Sequence, residues 1–247
     1  MQDKTFRSFK QYKEHLNKVT VLYCGGFKPL TGAHISMIES YANHPDVKKI
    51  ILFVSPKGRD GIDSDVACEI INETLNKFPI EIVLDENSCS PILAAYRWIE
   101  RPEREPGKYA IASSTKGEDY RRVKGFLESY TPERFQKNLP KGVEIIEFPI
   151  NVNPLLYENG KPISSTNARK ALENNNYKEF KKSYPNLSEK KIKLIWNKLT
   201  KSKKDIEEAG NTEFTETGGL SGYSRVYPSQ KYKSIKNIEE CRGPQDT

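Results

Sequence analysis

The chain has 247 residues, 36% hydrophobic and 30% charged, with 40 Lys and Arg against 33 Asp and Glu, giving a net charge of +7 and a pI near 9.0. That length can bury a core in one large α/β domain or two smaller ones, and the composition excludes a fibrous, repetitive or cysteine-stapled chain. The surplus of positive charge suits phosphorylated small molecules, nucleic acid or anionic membranes alike, so its location matters more than its sum.

Residues 1–18 carry Phe6, Phe9, Tyr12 and Leu16 at helical spacing among charged residues, which predicts a helical extension rather than an apolar export signal. VTVLYC, Val19 to Cys24, reads as a strand that ends on Gly25-Gly26, with a helix starting near Thr31 or Gly32 and covering AHISMIESYANH. A second buried strand falls at Ile50 to Val54. A helix capped by Asp63 or Ser64 runs through VACEIINETLNKF to a third strand at Ile80 to Leu84. Ser90-Pro91 opens the next helix, SPILAAYRWIE, followed by the charged loop RPEREPG and a fourth strand, KYAIAS. Lys116 to Tyr130 reads as helix, Val143 to Phe148 as a fifth strand, and ISSTNAR, after NVNPLLYENGKP, as a loop entering a helix with Ser164 or Ser165 as N-cap.

Strands and helices alternating in this way predict an α/β fold: a Rossmann-like, open, parallel five-stranded sheet with helices on both faces, followed by C-terminal helices and a tail. From Lys170 to Lys204 eleven lysines face three glutamates, a local charge of +8, while Phe180, Tyr184, Leu187, Ile192, Ile195, Trp196 and Leu199 supply a packing face. The expected division is an extension at 1–18, a core at 19–175, basic helices packed on it at 176–204 and a weakly ordered tail at 205–247. Cys24, Cys68, Cys89 and Cys241 lack paired metal-ligand or redox spacings, which fits a reducing, cytoplasmic setting. No eighteen consecutive residues are apolar, so a membrane-spanning helix is excluded.

Two segments carry the chemistry. GGFKPLTGAH, Gly25 to His34, follows the first strand, where glycines allow close backbone approach and a helix N-terminus favours phosphate. Its wording is neither GxGxxG nor GxxxxGK[ST]. ISSTNAR, Ile163 to Arg169, places hydroxyls at a helix start and an arginine one turn in, a donor set suited to phosphate oxygens.

Gly26-Phe27-x-Pro29-x-Thr31-x-x-His34 resembles the first signature of the nucleotidyltransferase superfamily that includes nicotinamide mononucleotide adenylyltransferases, pantetheine phosphate adenylyltransferases and small cytidylyltransferases, written GxFxPxHxGH with Thr allowed at the first histidine. Ala33 replaces the penultimate glycine, and Lys28 stands where an acidic residue is common. ISSTNAR matches the ISSTxxR signature of the same superfamily without a mismatch. The resemblance covers residues 19–175.

The resemblance implies transfer of a nucleoside monophosphate, AMP from ATP in the preferred form, to a phosphorylated small-molecule acceptor resembling nicotinamide mononucleotide, with release of pyrophosphate. It assigns Ser165, Thr166 and Arg169 to the nucleotide, with His34 and Thr31 entering from the other loop; His34, Thr31, Lys28 and Arg169 are the candidates for catalysis, Lys28 as an additional phosphate ligand, and Gly25, Gly26, Phe27, Ser164, Ser165, Thr166 and Arg169 those for nucleotide binding. Lys57 and Arg59, after the second strand, and Lys116, Asp119 and Arg121, after the fourth, are candidates for acceptor or phosphate binding. Mg²⁺ is expected with the triphosphate, held by phosphate oxygens and water, since no residues have metal-ligand spacing. No membrane or nucleic-acid partner is expected, and whether copies of the chain form a homo-oligomer is left open. Phage and microbial members of this broad group share the GGFKP opening, so the cytoplasm of an infected host is included in the expected setting. The alternatives are a cytidylyltransferase using CTP and a catalytically reduced nucleotide-binding protein.

Overall fold

A computed structural model describes residues 18–88, 90–112, 121, 124, 125, 128, 138–148, 150 and 155–210, with side chains to 202 in the last span. The β-branched run at the start of the core folds as β1 (Val19–Gly25), and the remaining strands are β2 (Val47–Val54), β3 (Ile80–Leu84), β4 (Gly107–Ile111) and β5 (Val143–Ile145). They form one sheet in the order β3-β2-β1-β4-β5, and all four pairings are parallel. This is the predicted doubly wound α/β architecture. The chain leaves β1 toward β2 and β3 on one side and returns to β4 on the other, so the carboxyl ends of β1 and β4 border a topological switch point.

The strand residues alternate between two cores, as a period of two requires. Val19, Val21, Ile50, Leu52, Val54 and Ala110 face a large cluster with α1 (Gly32–Ala42), α2 (Ser64–Leu75) and the C-terminal helices. Leu22, Ile51, Phe53, Tyr109 and Ile111 face α3 (Pro91–Ile99), where Trp98 makes edge contacts with Phe53 and Tyr109. Ser90 caps α3 as predicted, its hydroxyl accepting from the Leu93 amide with Pro91 in the first turn.

β5 is shorter than the expected Val143 to Phe148. The Ile146 amide still donates to Tyr109 O, but the Phe148 ring leaves the sheet edge to pack against Tyr41 and His44. Of the helix expected at 116–130, the described residues 121, 124, 125 and 128 are helical. The extension at 1–17 and residues 211–247 lie outside the described residues.

The ISSTNAR segment starts α4 (Ser165–Glu173), followed by α5 (Tyr177–Lys181) and α6 (Glu189–Gly210). α6 continues past position 204, where the sequence suggested a boundary, because neither Gly nor Pro interrupts it before Gly210. Its buried Ile192, Ile195 and Leu199 join the large core. The basic surplus is partly neutralised in place: Lys198 lies 2.9 Å from Glu69 and 3.0 Å from Glu73 on α2, and Lys191 donates to Thr74 O near the end of that helix. Among the described residues no helix is long and apolar enough to cross a membrane.

The C-terminal segment also closes on the first loop. Gly32 N–H, at the start of α1, donates to Ser183 O at 2.9 Å, and a Cβ on Gly32 would lie 2.9 Å from that oxygen and 3.2 Å from Pro185 Cδ. Gly32→Ala is therefore expected to destabilise the fold by about 1–3 kcal/mol through overpacking against backbone. Thermal denaturation checks this, and an unchanged melting temperature would contradict the contact.

Candidate functional site

The site grows from the loop that leaves β1. Phe27 adopts a positive φ of 50°, a conformation costly for a bulky residue, and its ring is 1% exposed. The ring folds back over Gly25, where a Cβ would come within 2.9 Å of Phe27 Cζ, and it makes edge contacts with Tyr23 and His34. Phe27 therefore supports the loop from below. Gly26 is exposed, with open space where its Cβ would be, so its backbone is accessible from the crevice.

Thr31 caps α1, and His34 at the third helical position reaches back to it in a reciprocal capping box. The Thr31 amide donates to His34 Nδ1 at 3.1 Å, and Thr31 Oγ1 lies 3.0 Å from the same nitrogen. A nitrogen that accepts an amide hydrogen bond carries no proton, so the neutral ring holds its proton on Nε2. Desolvation pushes the His34 pKa down to about 4. At neutral pH His34 is thus an oriented, uncharged N–H donor. Thr31, expected among the catalytic groups, is fully buried and acts on the histidine rather than facing the crevice.

This protonation state makes a stability prediction. The unfolded chain binds a proton at His34 below about pH 6.5 whereas the folded one does so only near 4. Between those values the unfolded state holds more protons, so this contribution is complete above 6.5 and is lost as pH falls toward 4. Chemical denaturation at stepped pH should show that dependence in the wild-type chain and a flatter one in His34→Gln. Parallel curves would contradict the assignment.

The second motif meets the first loop directly. Ser164 caps α4, its hydroxyl accepting from the Asn167 amide, and Ser165 Oγ donates to Pro29 O at 3.1 Å. Arg169 is 8% exposed; its Nη1 donates to Lys28 O at 2.8 Å and its Nη2 to Thr166 Oγ1 at 3.2 Å. Residues 136 and 141 positions apart in sequence are joined at one edge of the crevice. Thr166 and Asn167 remain exposed at the helix start.

Lys28 stands differently from its expected catalytic place. Its side chain is 2% exposed, and the ammonium turns inward to donate to Ser55 O and Lys57 O, the carbonyls of the loop after β2. Burial pushes its pKa below the ordinary lysine value, against the opposing pull of Cys68, Asp63 and Asp65. The residue ties two loops together.

Lys57 and Arg59 are exposed on that second loop. Their neighbour Asp60 was not a sequence candidate, yet its Oδ2 lies 2.5 Å from Arg169 Nε and 4.0 Å from Arg59 Nε. The signal was available: Asp60-Gly61 forms a two-residue hairpin with φ of 50° and 73°, closed by reciprocal Arg59–Ile62 backbone bonds, and Asp-Gly is a preferred pair for that turn. Arg121 is exposed and helical, while Lys116 and Asp119 lie outside the described residues. Among the described residues no three His, Cys, Asp or Glu side chains gather into a metal-binding group. A cavity of about 430 Å³ lies on the outer face of α4, lined by Asn159, Asn167, Lys170, Asn174 and Lys182 among others, and contains none of the predicted site residues.

No family model matches the chain, and no curated protein matches it. Among solved structures, Plasmodium falciparum nicotinic acid mononucleotide adenylyltransferase complexed with APC is similar over 74% of this chain and 95% of that one, at 16% identity and a TM-score of 0.38.

Proposed function

We propose that the chain is a nucleotidyltransferase that moves AMP from ATP onto a phosphorylated small-molecule acceptor of the nicotinamide-mononucleotide kind and releases pyrophosphate. The observation that carries this reading is the junction of the two motifs: Arg169 and Ser165 of the second hydrogen-bond Lys28 O and Pro29 O of the first. The junction lies at the carboxyl end of β1, where open α/β sheets bind ligands.

In the proposed reaction a phosphate oxygen of the acceptor attacks the α-phosphorus in line. One phosphorus–oxygen bond forms there as the bond to the β-phosphate bridge breaks, and pyrophosphate leaves with that electron pair. His34 donates Nε2–H to an α-phosphate oxygen as charge develops. Being already neutral and oriented, it needs no proton transfer and little reorganisation. The start of α4, with Ser164, Ser165 and Thr166, and the Arg169 guanidinium hold the triphosphate, with Lys57 and Arg59 on its outer side. Gly25 and Gly26 allow the backbone close to the nucleotide, and Phe27 sets the loop beneath it. Lys116, Asp119 and Arg121 are assigned to the acceptor. Mg²⁺ bound with the triphosphate would be held by phosphate oxygens and water and would supply neutralisation of their charge.

Lys28 bears on the alternative of a catalytically reduced binder. A lysine at that position would alter phosphate contacts if it faced the crevice, and its inward ammonium removes that objection. The test incubates the chain with Mg²⁺, each of the four nucleoside triphosphates and a panel of phosphorylated acceptors, measuring pyrophosphate and the mass of the product. ATP with one acceptor should give both. CTP as the sole donor would make the chain a cytidylyltransferase, and nucleotide binding without product would favour the reduced binder.

A further inference from the structure

We infer that Asp60 is a built-in stand-in for a phosphate: its carboxylate occupies an anion seat between Arg169 and Arg59, and an entering polyphosphate must displace it. The inference rests on the reading that Arg169 faces the phosphates of the ligand.

Three observations support it. First, one oxygen, Asp60 Oδ2, lies near two guanidiniums, 2.5 Å from Arg169 Nε and 4.0 Å from Arg59 Nε, an arrangement a phosphate oxygen would take equally well. Second, the fit is incomplete. Arg169 Nε is buried and without a hydrogen-bond partner despite the closeness of the carboxylate, so charge is balanced while a buried donor stays unsatisfied. A tetrahedral phosphate, with more oxygens and more charge, can satisfy both. Third, the two sides of the pair differ in burial: the Arg169 side chain is 9% exposed and that of Asp60 62%. The arginine cannot leave without abandoning its bonds to Lys28 O and Thr166 Oγ1, whereas the aspartate is on the water side and is the partner that moves.

The backbone limits that movement to a small unit. Lys57 O is held by the Lys28 ammonium, and Ile62 is 1% exposed in the core. Between these anchors lie Gly58, Arg59, Asp60 and Gly61, a tip with a glycine on each side of the Arg-Asp pair. Displacement of Asp60 would leave Arg59 at the seat, so the loop that blocks it would supply a phosphate ligand once the anion has entered. The empty site would thereby avoid an uncompensated buried charge, and weak anions would be excluded in favour of polyphosphates.

Sodium tripolyphosphate, which carries no base or sugar, tests the seat alone. Asparagine tolerates positive φ, so Asp60→Asn keeps the turn while removing the charge. By titration calorimetry at fixed ionic strength, Asp60→Asn should bind tripolyphosphate about 5- to 20-fold more tightly than the wild-type chain, because the competing closed population is lost. The same substitution in an Arg169→Ala background should give no gain. Equal or weaker binding by Asp60→Asn, the same gain without Arg169, or no binding of tripolyphosphate by either protein would each overturn the inference. Parallel turnover assays separate this from the transferase reading. A tripolyphosphate gain with no nucleotide transfer to any acceptor leaves the seat standing and removes the transferase. Turnover without a tripolyphosphate gain does the reverse.

Discussion

Replacing His34 with alanine is expected to lower kcat by about 10²- to 10³-fold, the usual cost of removing one preorganised donor to a developing oxyanion. Nucleotide affinity should change by less than about threefold, because the ground-state triphosphate is held by Arg169 and the start of α4. The effect belongs to Nε2–H: Nδ1 is engaged with the Thr31 amide and hydroxyl, which leaves a single donor for substrate. His34→Gln places an amide N–H near the same point and should recover part of the rate, whereas a lost helix cap alone would be unaffected by which donor remains. Since desolvation keeps the ring neutral in the free chain, with a pKa of about 4, kcat/KM should show no His34 limb between about pH 6 and 8. Steady-state kinetics with calorimetric affinities for both variants check this. A rise in KM with unchanged kcat would move His34 from transition-state donor to ground-state ligand.

The second large effect is expected at Arg169. Arg169→Ala removes the charge proposed to bind the triphosphate and the donor that holds Lys28 O, so both function and fold should respond. The expected outcome is a fall in kcat/KM of about 10²- to 10³-fold, together with about 1–3 kcal/mol of lost stability from the unpaired buried carbonyl. Arg169→Lys separates the two. Lysine keeps the charge but cannot bond Lys28 O, Thr166 Oγ1 and an external oxygen from one rigid plane, so stability should largely return while nucleotide affinity stays reduced by about tenfold. Equal affinities for the wild-type chain and Arg169→Lys would contradict a directed role for the guanidinium fork.

The architecture was legible because its signals are local. Val19 to Cys24, Ile80 to Leu84 and Ser90-Pro91 announce their elements through β-branched runs and capping chemistry, and each element lies within a residue of its expected place. Ends decided by tertiary contact were less legible: β5 stops early because Phe148 finds Tyr41 and His44, partners about a hundred positions away in sequence. The site divides similarly. His34, Ser165 and Arg169 stand out in their motifs, and the structure ties Ser165 and Arg169 to the backbone of the loop that leads to His34. Lys28 could not be placed from sequence. A lysine in a glycine loop reads as a phosphate ligand until the carbonyls of Ser55 and Lys57, 27 and 29 residues on, are seen to accept its hydrogen bonds. Thr31 likewise reads as a catalytic hydroxyl, and only the fold shows that His34 is what it orients. The turn at Asp60 is legible in the Asp-Gly pair, whereas its pairing with Arg169 depends on the fold.

The positive charge of the chain also has a clearer distribution. Lys191 and Lys198 pack the last helix onto α2, and Lys28 closes the floor of the crevice. Lys57 and Arg59 remain exposed beside the junction, near a buried Arg169.

The most direct test of nucleotidyl transfer follows two labels through one reaction. Triphosphate labelled at the α-phosphorus, and in a parallel reaction at the γ-phosphorus, is incubated with the chain, Mg²⁺ and the acceptor. The α label should appear in the enlarged acceptor and the γ label in pyrophosphate, in equal amounts, with both initial rates lowered by about 10²- to 10³-fold in His34→Ala. A γ label on the acceptor, or released as orthophosphate, would contradict nucleotidyl transfer and make the chain a phosphotransferase or a hydrolase.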